Sequence, residues 1–361
     1  MVVDKDALRR IEELSNVKGP SGFEDEVCSL VRSELADVCD IEEDSFRNLY
    51  LYSHKNTGNR PVVMIDAHSD EVGFMVQSIK PNGTLRFLQL GGWNSGSLPG
   101  TKVLVRNRDG QWITGVIAAK PPHFMTAEER AANRAPSPSD MVIDVGAVSA
   151  EDAIDNYGVR IGEPVTADVA FSYDENHDRM FGKAFDCRVG CAALVEVMRR
   201  VSELDLKVDV VGVMSSQEEL GERGSRVSVN HVKPAAAICF EGTPADDTFS
   251  DSYAVQTAVG KGPMFRFMDV TAICNPRFQR LALDTAEKNG IPAQAAVREG
   301  GGTDAASIQT ATYAAPAIVA GVPVRYIHSP HCIASYHDYD ASVRLVIELL
   351  KIMDSGVIES F

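Results

Sequence analysis

Two adjacent glutamates close an apolar run. VDVVGVMSSQEELGERGS, residues 208–225, reads as a buried strand that ends at Glu218 and Glu219 and passes into a glycine-bearing turn. A buried carboxylate is costly unless something pairs with it. Three other apolar runs end in similar chemistry: VVMI leads into His68 and Asp70, AAAICF into Glu241, and VPVRYI into His328. In parallel sheets, ligands bind outside the carboxyl ends of the strands. Four strands would therefore deliver a metal-type donor to one edge. A fifth donor, Asp186 in GKAFDCRVG, precedes a helix expected to pack beside that edge. Each signal alone has an ordinary reading. A single His at a strand end is usually a surface residue, paired glutamates are usually solvated, and Asp186 can cap a helix. Their joint placement is what points to a metal.

Two imidazoles with several carboxylates, and no thiolate pair, suit zinc, cobalt or manganese in a catalytic site. So many carboxylates in one cleft repel one another. Two divalent cations roughly 3.5–4 Å apart, bridged by a shared carboxylate, would resolve that. Adjacent residues at a strand end point in different directions, so Glu219 can ligate while Glu218 faces the attacking water as general base. Asp70 lies two residues after His68, on the same side of an extended chain. It can accept the free imidazole N–H and fix the tautomer.

These donors need a scaffold. The chain has 361 residues, which suggests roughly two domains. With 44% hydrophobic and 24% charged residues it has an ordinary globular composition. The formal net charge of −16 argues against nucleic acid or anionic membrane as a partner. No apolar run approaches the roughly 20 residues that span a bilayer. MVVDKDALRRIEELS lacks the pattern of a secretory signal, so a cytoplasmic location is expected. The seven cysteines are scattered without a CxxC pair, and they read as reduced, buried, small apolar residues.

SGFEDEVCSLVRSEL opens with Ser21 and has Glu24 three residues later, a capping box before a helix expected over about 22–36. Residues 78–165 carry short β-type runs with Asn-Gly and Asp-Gly turn signals, so a small all-β domain is expected there. TAEERAANRAPSPSD, 126–140, reads as a mobile loop within it. From 183 onward strands and helices alternate, which implies a largely parallel sheet covered by helices. The expected fold class is α/β. The catalytic domain would comprise 1–75 and 166–361, and the inserted β domain 76–165.

AHSDEVGFMV, GKAFDCRVG, SSQEELGERGS, GGTDAAS and YIHSP, in this order, resemble the glutamyl-aminopeptidase family of tetrahedral di-zinc aminopeptidases. Some members of that family carry an endoglucanase label. GGWNSGSLPGTKV, GVIAAKPPH and VIDVGAVSAEDA extend the resemblance through the inserted domain, so it covers nearly the whole chain. The resemblance implies a zinc-exopeptidase fold with a mixed sheet and a PDZ-like β insertion that mediates dimer contacts. It also implies assembly into a tetrahedral dodecamer that trims peptides from the free N-terminus. His68, Asp186 and Glu241 would hold one metal, and Asp186, Glu219 and His328 the other, with Asp186 bridging. Glu218 would be the base and Asp70 would orient His68. Gly301, Gly302, Thr303 and Asp304 resemble a family segment near the substrate, although a tight turn before a helix explains them equally. His331 competes with His328 as ligand, and the family pattern favours His328. His123 in KPPH is expected to approach an active site across a subunit interface.

Two positions depart from the family pattern. Cys187 follows Asp186 where the family usually has Asp; an exposed thiol there would make the site sensitive to oxidation. Glu241 stands where the family usually has Asp, and the longer acid is associated with carboxypeptidases and deacylases. Beside a metal-dependent aminopeptidase, these departures leave two alternatives open: a di-metal carboxypeptidase or deacylase, and a catalytically impaired homologue that keeps the particle. Glycosidase chemistry ranks lowest, because paired carboxylates suffice for it and the imidazoles would have no task.

Overall fold

The computed structural model describes residues 3–131, 136–312 and 314–361. Strands from 39–68 and from 172–334 build an 11-stranded mixed sheet. Its path runs Cys39–Glu43, Leu49–Ser53, Asp209–Ser215, Val62–His68, Ala236–Pro244, Ala317–Arg325, Cys332–Ala334, Arg179–Gly182 and Ser172–Asp174. Met264–Met268 and Gln294–Val297 branch from Ala317–Arg325. The four central strands, from Asp209–Ser215 to Ala317–Arg325, run parallel. Parallel strands are covered on both faces and so read as unbroken apolar runs. Asp209–Ser215 is accordingly buried along its whole length.

On one face the helix Phe185–Val201 lies against the strands, flanked by Lys5–Asn16 and Tyr336–Ile352. Val189, Ala193 and Val197 are among the residues this helix buries in the larger core. On the other face Val229, Ala305 and Ile308 pack against Met64, Val213 and Val319. The register pairs Ser215 with His68, so two neighbouring strands end together. That alignment brings residues 68–70 beside 216–219. Glu241 sits inside its strand rather than after it, because Ala236–Pro244 continues three residues beyond, paired with Ala317–Arg325.

The inserted segment closes into a six-stranded barrel made of Gly73–Ile79, Leu85–Leu90, Val142–Asp144, Trp112–Ala118, Lys102–Arg106 and Pro164–Ala167. Its core includes Phe74, which stacks on Trp93 at a centroid distance of 4.8 Å. The segment is not purely β. Ala150–Asp155 is helical, capped by the Ser149 side chain. Within the stretch expected to be a loop, Ala127–Ala131 is helical and Pro138–Asp140 forms a 3-10 turn, while 132–135 lie outside the described residues. All seven cysteines are buried and free.

Candidate active site

His68 ends its strand almost fully buried. Its Nε2 lies 3.1 Å from Asp186 Oδ1 and 3.5 Å from Glu241 Oε2. The other Asp186 oxygen is 3.3 Å from His328 Nε2, which stands 3.5 Å from Glu219 Oε1. Two donor groups thus meet at Asp186: His68–Asp186–Glu241 and Asp186–Glu219–His328. Glu218 Oε2 lies 4.0 Å from His68 Nε2 and belongs to neither group.

Local backbone places each side chain. Asp186 opens its helix with non-helical angles, and its peptide to Cys187 is cis. Gly242 permits this close approach: a Cβ there would fall 2.5 Å from Phe185 O and 2.7 Å from Asp186 Cα. Glu218 and Glu219 share a 3-10 turn, entered at Gln217 (φ 55°) and left at Gly221 (φ 105°). The turn aims the neighbouring carboxylates differently. His328 follows the strand Ala317–Arg325 at φ 56°, and its carbonyl accepts from the Asn94 N–H of the barrel segment at 3.0 Å. Behind His68, Cys191 Sγ donates to the His68 carbonyl at 3.0 Å, and the buried Arg188 donates to Ser69 O at 3.0 Å.

Asp70 does more than face the imidazole, where its Oδ1 lies 3.3 Å from His68 Nδ1. It accepts the backbone N–H of Glu218 at 2.9 Å, that of Glu219 at 3.2 Å, and the Ser21 hydroxyl at 2.6 Å. Glu24 accepts from Gly22 N, Ser216 Oγ and Gln217 N. The expected capping box therefore does not form. The helix Asp25–Leu35 has no side-chain cap at Glu24. A cap contributes about 1 kcal/mol, whereas each buried donor of the 216–219 turn left unpaired costs about 1–3 kcal/mol. The turn wins Glu24, and Asp70 wins Ser21.

The residues fit a metal. Glu219 Oε1, one of the donor atoms turned toward His328, is buried without a hydrogen-bond partner. Burial pushes Glu219 up to about 8 and Glu241 up to about 7; the imidazoles pull both down and the Asp186 charge pushes them up. Burial also holds Glu218 well above the usual carboxylate range. Burial would raise Asp186 too, but hydrogen bonds from His328 and His68 outweigh it and hold this carboxyl below its usual range. Desolvation would lower His328, but its hydrogen bond with Asp186 and the charges of Glu219 and Asp186 together outweigh it and raise the imidazole to about 9. Crowded acids that keep protons only because they are buried and repel one another are what divalent cations would neutralise.

A pH dependence follows for the metal-free protein. Glu219 and Glu241 have folded values above the unfolded ~4.3, so the native state binds more protons between that pH and about 8. Stability from such groups is present below the unfolded value and is lost as pH rises through the folded one. His328, raised from ~6.5 to about 9, acts in the same direction. With chelator present, the melting temperature should fall steadily from pH 5 to 9 in scanning calorimetry. Saturating zinc should flatten or invert that slope. A metal-free protein that grows more stable across this window would contradict the electrostatic picture.

A cleft of about 320 Å³ opens over the donors, walled by Gly92, Glu222, Arg266, Arg298, Gly301 and Gly302. Of the glycine-rich segment read as substrate-binding, Gly301 and Gly302 line this cleft. Thr303 and Asp304 do not; both are buried. Asp304 turns inward, accepts from Ser225 Oγ and faces the carboxyl of Asp66, where burial favours a shared proton. His123 lies in the exposed turn Pro122–Phe124, outside the cleft of its own subunit. His331 is exposed and gives only its carbonyl to Ser329. Cys187 is fully buried and donates to Phe240 O at 3.3 Å, so the exposure that oxidation requires is absent. Its sulfur nonetheless lies within 4.8 Å of the His68, Asp186 and Glu241 donor atoms. Ser21, Glu24 and Glu222 are the parts of the site that motif reading missed, although all three stand inside quoted motifs.

A parallel-strand edge carrying two imidazoles and four carboxylates beneath an open cleft defines a hydrolytic metalloenzyme. The sequence profile of the M42 glutamyl aminopeptidase family matches residues 48–345, and the chain belongs to that family. It is 30% identical over 331 residues to the glutamyl aminopeptidase of Lactococcus lactis subsp. cremoris, covering 91% of this chain and 92% of that protein. The TET aminopeptidase of a marine sediment Thaumarchaeota archaeon matches with TM-score 0.94 and 34% identity over 99% of each chain. The TET1 peptidase of Pyrococcus horikoshii, which can assemble into a tetrahedron or a large octahedral shell, matches with TM-score 0.85 and 28% identity over 96% of this chain and 100% of that one. The chain is accordingly an aminopeptidase of metallo-exopeptidase type. Among the described residues, no helix is long and apolar enough to cross a membrane.

Proposed function

We propose that this aminopeptidase removes the N-terminal residue of peptides with two divalent cations, zinc foremost and cobalt or manganese as alternatives. The observation that carries this reading is the pair of donor groups sharing Asp186. His68, Asp186 and Glu241 would hold one cation, and Asp186, Glu219 and His328 the other. Bound there, the cations would supply Lewis acidity that polarises the scissile carbonyl and makes water acidic near neutral pH.

The chain's own residues do the rest. Glu218, outside both donor groups and 4.0 Å from His68 Nε2, accepts the proton of the attacking water. It then returns that proton to the leaving amine nitrogen. Its buried position raises its proton affinity, which suits a group that must hold a proton between two steps. Asp70 faces the far side of the imidazole and grips the N–H groups of Glu218 and Glu219. One carboxylate therefore positions a metal ligand and the base together.

In this reading, residues 1–75 and 166–361 form the catalytic body. The segment 76–165, whose barrel also takes in 73–75 and 166–167, is a PDZ-like module for dimer contacts, where Phe124, Val148 and Ile161 are exposed apolar side chains. Dimers build a tetrahedral dodecamer with peptides trimmed inside, a reading supported by the TET1 relative, which can assemble into a tetrahedron or a large octahedral shell. Seven free buried cysteines suit a reducing compartment such as the cytoplasm.

Assay of aminoacyl amides beside their N-acetylated counterparts tests the exopeptidase direction. Free-amine substrates should be cleaved at least about 100-fold faster. Cleavage confined to blocked substrates would transfer the protein to the deacylase or carboxypeptidase class with which a glutamate at position 241 is associated.

A further inference from the structure

The proposed reaction leaves one charge on the cleft wall without a task. Glu222 precedes the helix Arg223–Val232, one residue past the Glu218–Leu220 turn, at φ 56°, and its N–H donates to Glu218 O at 2.8 Å. Its half-buried carboxylate lies against the glycine-rich segment, close enough that a Cβ on Gly302 would stand 3.0 Å from Oε1. The cleft carries two other charges outside the catalytic cluster, and both are already answered. Arg266 pairs with Asp269 at 3.0 Å, and Arg298 pairs with Asp246 at 3.0 Å. Within the cluster, Asp186, Glu218, Glu219 and Glu241 would face the two cations, and Asp70 faces the His68 imidazole. Among the described residues Glu222 makes no ion pair and its carboxylate no hydrogen bond. Arg226, one helical turn on and exposed, is the basic group nearest in influence, and Asp269 opposes it.

We propose that Glu222 is a specificity-determining residue that selects peptides with a basic N-terminal residue, lysine or arginine. The proposal rests on the aminopeptidase reading of the same site. The substrate's first side chain enters the cleft with its methylene stem along Pro244 and Ile327, which also line it. Its cationic end reaches Glu222. A long basic side chain suits such a passage, because its stem tolerates apolar walls while its head needs a polar terminus. A glutamyl side chain would bring a second negative charge against an unpaired one. At short range that repulsion costs more than the already neutralised arginines can return.

The test measures kcat/KM for lysyl, arginyl, leucyl and glutamyl methylcoumarylamides with zinc-loaded wild type and the variants Glu222→Gln and Glu222→Lys. Wild type should favour lysyl and arginyl over glutamyl by at least about tenfold. In Glu222→Gln the ratio of lysyl to leucyl kcat/KM should fall about tenfold or more, chiefly through KM, since a uniform binding contact is lost. Glu222→Lys should turn the preference toward glutamyl. A parallel loss on all four substrates in Glu222→Gln would overturn the proposal, because it would assign the residue to the α-amine or to folding. Preference of wild type for glutamyl, unchanged in Glu222→Gln, would overturn it equally.

Failure to cleave any of the four substrates would sink the aminopeptidase reading instead. Calorimetric titration of free lysine, leucine and glutamate into the zinc-loaded protein then decides the pocket separately. Lysine bound at least tenfold more tightly than glutamate, with the difference abolished in Glu222→Gln, supports the assignment; equal binding rejects it.

Discussion

Replacing Glu218 with Gln lowers kcat by about 10²–10⁴-fold, the range that general acid–base catalysis supplies, while the bound metal content stays at the wild-type level. Both halves of this expectation come from geometry. Glu218 is absent from the two donor groups that meet at Asp186, so losing its charge removes no ligand. Its carboxylate still sits 4.0 Å from His68 Nε2, at the margin of the cluster, where a water between the groups would meet it. Gln keeps the volume and the backbone hydrogen bond to Asp70 but cannot take a proton. Steady-state kinetics on an aminoacyl amide, run beside elemental analysis of the same preparation, reads both quantities. Near-wild-type turnover would remove Glu218 from the mechanism, and loss of metal would recast it as a ligand.

Asp186→Asn has the broadest expected consequence. The two oxygens of this one side chain face different imidazoles, Oδ1 toward His68 and Oδ2 toward His328. An amide offers one oxygen and one N–H₂ donor, so it cannot serve both groups. Bound metal should fall toward zero at both positions together, whereas Glu241→Gln should weaken one position and spare the other. Losing Lewis acidity worth several kcal/mol corresponds to roughly 10³-fold or more in rate. Equilibrium dialysis against zinc, followed by activity measurement, separates these cases. An Asp186→Asn protein that keeps two tightly bound metals would show that the two groups do not share this carboxylate.

The gathering of these side chains at one edge was legible from sequence because strand ends are. Apolar runs ending in His68, Glu219 and His328 mark the edge of a parallel sheet, and the register of Ser215 against His68 makes neighbouring strands stop together. Glu241 was legible as a residue but not in its placement, since its strand runs on to Pro244. Ser21 and Glu24 follow the spacing of a capping box, and local pattern alone favours that reading. Only the tertiary fold supplies the competing partners, Asp70 and the turn at Ser216–Gln217. Asp304 misled in the opposite way. A polar residue after three glycines looks like a binding loop, but its helix packs under the sheet and carries the carboxyl to Ser225. Glu222 was invisible because its meaning depends on which charges are neutralised around it. Asp269 and Asp246, the residues that neutralise the two arginines, lie far from it in the chain.

The central claim is that one aspartate joins two cation positions. Crystals of the zinc-loaded protein, with diffraction collected on both sides of the zinc absorption edge, test it most directly. The account predicts two anomalous peaks per chain, roughly 3.5–4 Å apart, with Asp186 between them and with His68 and His328 on opposite sides. A single peak, or two peaks that do not both touch Asp186, would contradict it.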